Sequence, residues 1–116
     1  MIRVEELRIG NYIKWIDNVV KVDLEIMKLV SENPEWAKPI DITREILENC
    51  LCFWDGVFIP ERKQPEHCKW FECCMDNSNV YVSVNTAEYL LCKLNGVHEL
   101  QNAYYLAMKE ELEIKL

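Results

Sequence analysis

The spacing of apolar residues changes along the chain, and the changes mark its elements. Residues 11–16 read as a strand, and Asp17-Asn18 offers a two-residue turn into a second. From there Val20, Val22, Leu24 and Ile26 alternate with Lys21, Asp23 and Glu25, the two-residue period of a sheet with one wet face. A strand running through Ile26 is therefore expected, with Gly10 supplying a bend before the first strand. Residues 31–35 are polar and carry a proline, so they read as a loop, after which Trp36 is expected to return the chain to the core.

Pro39 then introduces a short helix. Asp41 or Thr43 caps it, Glu45 suits its positive end, and Ile42, Ile46 and Cys50 share one face, with an end near Asn49. Residues 51–53 and 57–59 flank Trp54-Asp55-Gly56, whose Asp-Gly pair predicts a tight hairpin. A polar loop over residues 60–66 leads to a second hairpin, 69–75 with 80–84, joined by the turn-rich residues 76–79. Residues 85–96 fit two templates. As a helix they would be capped by Asn85 and Glu88, apolar at Ala87, Leu90, Leu91 and Leu94, and stopped by Gly96. As a strand, Leu90, Cys92 and Leu94 would face inward and extend the hairpin into a meander.

The last element is a helix over residues 97–109 with Val97, Leu100, Tyr104, Ala107 and Met108 on its core face. Glu110, Glu111 and Glu113 follow where the helix dipole disfavours negative charge, so fraying or an extended tail is expected beyond it. Together these elements predict an α+β fold: an N-terminal twisted antiparallel sheet, one short helix, a central β meander, and a C-terminal amphipathic helix packed on the sheet. Trp15, Trp36 and Trp70 are the large aromatic side chains expected to be buried by the long-range strand pairing.

With 116 residues, half of them apolar and 28% charged, the chain suits one folding unit, residues 1–116, and lies far from the composition of disorder. Its formal charge of −7 would repel a phosphate backbone, which argues against direct nucleic-acid binding and for solubility or attraction to a basic protein surface. Residues 1–10 break every apolar run with a charge, and no stretch approaches the ~20 apolar residues a membrane span needs. A cytoplasmic protein with no membrane contact is expected, and its six cysteines are then reduced thiols that behave as small hydrophobes.

Three constellations could carry chemistry. His67-Cys68 with Cys73-Cys74 offers zinc-type ligands, but adjacent cysteines in a strand point to opposite faces, against the turn-borne C-x₂₋₄-C spacing of a structural zinc site. A Cys–His nucleophile pair has the residue types without an elbow or an oxyanion loop around any cysteine. With three glycines, neither phosphate-loop pattern can be written, so no cofactor and no enzymatic activity are expected. The third is His98, Gln101, Asn102 and Tyr105, which recur at helical spacing beside the core stripe and are the candidate interaction surface. The alternative reading has His98 and Asn102, four residues apart, hydrogen-bonding within the fold.

Three stretches are similar to a known family: Glu6-Leu-Arg-Ile-Gly-Asn-Tyr12, Pro39-Ile-Asp-Ile-Thr-Arg-Glu-Ile-Leu47 and Val97-His-Glu-Leu-Gln-Asn-Ala-Tyr-Tyr105. They resemble, in the same order, the patterns LRIGNYV, PIPLTEEIL and VHQLQNLYFALTGEEL of small proteins of bacteriophages and integrated elements of gut Bacteroidetes. That family carries no assigned activity, and no catalytic residue is implied. Asp41 stands where the pattern has its second proline. Ala107-Met-Lys-Glu-Glu-Leu112 stands where the pattern has LTGEEL, without its Thr and Gly, which would let the last helix run on further. The segment before VHQLQN looks extended in the family, which favours the strand for residues 89–94.

The resemblance implies a phage or mobile-element accessory protein. Together with the acidic balance it suggests a non-enzymatic protein that binds another protein, for instance by inhibiting a basic nucleic-acid-handling host protein. A small metal- or thiol-dependent protein using the Cys/His cluster, and a structural or assembly subunit forming a homo-oligomer, are the alternatives.

Overall fold

A computed structural model describes residues 2–54, 56–60, 70–77, 79–85 and 91–116. The architecture is α+β, built on two antiparallel sheets. β1 (Tyr12–Trp15), β2 (Asn18–Lys21) and β3 (Ala37–Lys38) form a three-stranded sheet in the order β2-β1-β3. β4 (Cys52–Trp54), β5 (Val57–Ile59), β6 (Trp70–Asp76), β7 (Asn79–Asn85) and β8 (Leu91–Leu94) follow one another as a five-stranded meander.

The alternating run from Val20 to Ile26 does not stay extended. β2 ends at Lys21, and α1 (Leu24–Glu32) begins three residues later. Asp23 is its N-cap, its side chain accepting the Ile26 N–H at 2.8 Å. Leu, Glu, Met and Lys are good helix formers, and once the cap forms, a helix puts Ile26, Met27 and Val30 on one face against the small sheet. Leu24, which alternation would bury, lies exposed in the first turn. The helix also takes Ser31 and Glu32 out of the expected loop.

Trp36 does not enter the core. It ends a 3₁₀ turn (Pro34–Trp36), is 47% exposed, and packs edge-to-face on the half-buried Trp15 at 5.8 Å between ring centres. Ala37, the next residue, is the buried one, because β3 pairs it with Trp15 against the wall of the small core. That core gathers Ile2, Leu7, Ile13, Val22, Val30 and Ala37.

The larger core lies among the meander, α2 (Arg44–Cys50) and α3 (Val97–Met108). Thr43 caps α2 by accepting the Ile46 N–H, and Ile42, Ile46, Leu47 and Cys50 turn inward. The hairpin β4–β5 forms around Gly56, whose φ of +85° suits glycine; Asp55 lies outside the described residues. The pairing of β6 with β7 brings Cys73 opposite Val82, both in the core. β8 pairs with β7 in register Val80↔Leu94, so residues 91–94 are a strand; residues 61–69 and 86–90, with the expected loop and Leu90, lie outside the described set, as do the side chains of Trp70 and Cys92.

Val97, Leu100, Tyr104, Ala107 and Met108 are all buried, the stripe the helical period predicts, with Phe71 edge-to-face on Tyr104 at 5.3 Å. The helix stops at Met108 instead of running on. Lys109 adopts a left-handed φ of +60° and donates its N–H to Tyr105 O, and the chain continues without helix, burying Leu112. Carboxylates at a helix C-terminus oppose the dipole, and the buried leucine rewards leaving the helix axis. Among the described residues no helix is long and apolar enough to cross a membrane.

Candidate functional site

Residues 6–12 and 39–47 both meet the first half of α3. Gly10 bends the chain with a φ of +98°, so that Asn11 enters a fully buried position just before β1. Its carboxamide oxygen accepts the Arg8 N–H at 2.7 Å, and its nitrogen donates to Asn102 Oδ1 at 3.0 Å. Gln101, also buried, answers from the helix: its Oε1 accepts the Tyr12 N–H at 2.8 Å and its Nε2 donates to Gly10 O at 3.0 Å. Asn102 completes the joint by donating to Glu6 O at 2.8 Å.

The second stretch arrives from the other side. Val97 donates its N–H to Ile40 O at 2.9 Å, and Gly96 packs so closely on Pro39 that a Cβ there would lie 2.6 Å from the proline's Cβ. Glycine at residue 96 is thus required by close approach, its backbone being otherwise ordinary extended chain.

His98 and Gln101 are therefore interior residues, and Asn102 is half-buried. Of the four candidate residues Tyr105 alone is exposed, at 42%. The guanidinium of Arg8 lies 4.3 Å from the centre of its ring, donates to Asn102 Oδ1 at 3.0 Å, and forms an ion pair with Glu111. Leu106, four residues on from Asn102 and so on the same helix face, is 58% exposed. The outer end of α3 thus exposes an aromatic and an aliphatic side chain, and Arg8 links the aromatic ring to Glu111 of the tail. Between that tail and the Gly10 bend runs a groove lined by Ile9, Tyr12, Lys21, Glu113 and Ile114.

His98 is 1% exposed. Its Nε2 lies 3.5 Å from Glu6 Oε1, while its Nδ1 is buried without a hydrogen-bond partner among the described residues. Glu6 Oε2 accepts the Arg3 N–H at 2.8 Å, and this bond, more than the His98 ring, holds the Glu6 carboxyl below its ordinary value.

Among the described residues Cys73 and Cys74 do not converge in the same way. Cys73 is fully buried, and burial pushes its thiol up to about 12, whereas Cys74, the next residue of β6, points to the opposite side and is half-buried. Two such neighbours cannot grip one ion from a regular strand; His67 and Cys68 lie outside the described residues. Glu6, Arg8 and Asn11 are the members of the site that the spacing of α3 did not reveal. Their signal was polar residues packed around a glycine just ahead of a strand. No family model, curated protein or solved structure matches the chain.

Proposed function

We propose that the protein is a non-enzymatic accessory protein of phage or mobile-element type that binds another protein through the outer end of α3. The observation that carries the reading is the pairing of exposed Tyr105 and Leu106 with acidic groups. Arg8 touches both the Tyr105 ring and the Glu111 carboxylate, so aromatic surface and an exposed ion pair share one patch. Aromatic anchors rimmed by charge are what protein interfaces enrich. The net charge of −7 favours a basic partner surface and gives an encounter that salt weakens. A host protein that handles nucleic acid has such a surface, and carboxylates laid across it would compete with phosphates.

The buried amides of Gln101 and Asn11 serve this reading indirectly, by fixing the angle between α3 and the small sheet. The test is capture from a lysate of gut Bacteroidetes cells at low and high salt, with Leu106→Asp as the control bait. A basic protein held by the wild type at low salt and absent from the variant supports the reading, and identical captures from both baits oppose it.

A further inference from the structure

We propose that Glu6, His98 and Glu99 form a site for a divalent transition cation, with zinc as the ion it fits best. One ligand atom from each residue lies within 4.8 Å of the others. One edge of that triangle, His98 Nε2 to Glu6 Oε1, is 3.5 Å, long for a hydrogen bond between nitrogen and oxygen. It matches the edge of a tetrahedral shell, since zinc–nitrogen and zinc–oxygen bonds of ~2.1 Å place neighbouring ligands ~3.4 Å apart.

Each carboxylate is already oriented. Glu6 Oε2 takes the Arg3 N–H at 2.8 Å and Glu99 Oε1 takes the Asn95 N–H at 2.9 Å, leaving each a second oxygen. Backbone donors that fix ligating carboxylates are the outer-shell support metal sites use. His98 is an almost wholly buried imidazole whose Nε2 faces the Glu6 carboxylate. A Cβ on Gly96 would come within 3.0 Å of Nδ1, so backbone packs directly against that edge of the ring.

The chemistry selects the metal. An imidazole nitrogen suits zinc and its neighbours, and disfavours calcium and magnesium, which take oxygen ligands. Two carboxylates neutralise a divalent charge, and Glu6 and Glu99 are partly exposed, which leaves the fourth position to water. The site draws its ligands from the 3₁₀ turn Val4–Glu6 and the first turn of α3, so an ion there would clamp the N-terminal segment to the helix. It is distinct from the Tyr105–Leu106 patch and does not depend on it.

The test titrates the reduced, full-length protein with zinc chloride, read by calorimetry and by long-range proton–nitrogen NMR. With two histidines in the chain, His67→Gln assigns the ring signals. One equivalent should bind and shift the His98 ring nitrogens, and Glu99→Gln, which keeps the Asn95 hydrogen bond, should weaken that binding at least about tenfold without changing the zinc-free melting temperature. Zinc uptake that leaves the His98 signals in place, as binding to thiols would, overturns the proposal. So does a Glu99→Gln variant that binds like the wild type, or no binding at all.

Discussion

The Gln101 carboxamide clasps the backbone amide of Tyr12: Oε1 accepts that N–H at 2.8 Å while Nε2 of the same side chain donates to Gly10 O at 3.0 Å. Gln101→Leu keeps comparable bulk and strips both bonds, leaving a donor and an acceptor unpaired at the joint between α3 and β1. A buried group so abandoned costs about 1–3 kcal/mol, so the variant should lose about 2–5 kcal/mol in urea unfolding. A loss below about 0.5 kcal/mol would show that water replaces the amide at little cost.

Glu6 gives the stability a signature in acid. Its carboxyl is held below the ordinary 4.5, first by the Arg3 N–H and then, against the opposing effect of burial, by the His98 ring. A depressed carboxyl stabilises the fold above its unfolded value, and the contribution disappears as pH falls through the folded one. The wild type should therefore be more stable than Glu6→Gln at neutral pH, and the difference should shrink as pH drops below 4.5. Melting temperatures of both proteins across that range measure it; a gap independent of pH would contradict the assignment.

Cys73 should behave as a hydrophobic residue. Burial raises its thiol from 9.0 to about 12, so it stays protonated in the fold at any ordinary pH. Iodoacetamide at mildly alkaline pH should label the exposed Cys52 and spare Cys73 until urea is added, as mass spectrometry of the peptides reads out. The same shift destabilises the fold as pH climbs from 9.0 towards 12, because only the unfolded chain can ionise that thiol freely. Native labelling of Cys73 would mean that β6 opens readily.

What was legible in the chain were the elements whose local signals agreed. The stripe of Val97, Leu100, Tyr104, Ala107 and Met108, the Thr43 cap and the turn at Gly56 each combine a period with a cap or a turn residue. Val20 to Ile26 misled because alternation and helix share residues there, and the decision fell to Asp23, whose side chain captures the Ile26 N–H. Trp36 misled because aromatic bulk alone does not place a residue; Ala37 paired with Trp15 across β3 and took the interior.

The polar joint was half legible. Gln101 and Asn102 stood out on the helix, but their partners Glu6, Arg8 and Asn11 lie about ninety residues away, and no local pattern encodes such pairing. Residues 6–12 and 39–47 reach α3 through Gly10 with Gln101, Glu6 with Asn102, and Ile40 with Val97.

The central claim is that this outer end of α3 is a binding surface whose geometry the buried amides maintain. The most direct measurement is affinity capture from a lysate of the source cells with wild type and Leu106→Asp side by side, at about 50 mM and about 500 mM salt, concentrations that span a strong change in screening. Leu106 is exposed but sits in the last turn of α3, where an added carboxylate opposes the dipole, so the variant should lose about 1 kcal/mol and stay folded at the capture temperature. The account predicts one basic protein on the wild type at low salt, lost at high salt and lost from the variant. The same protein retained equally by Leu106→Asp, or held regardless of salt, would contradict it.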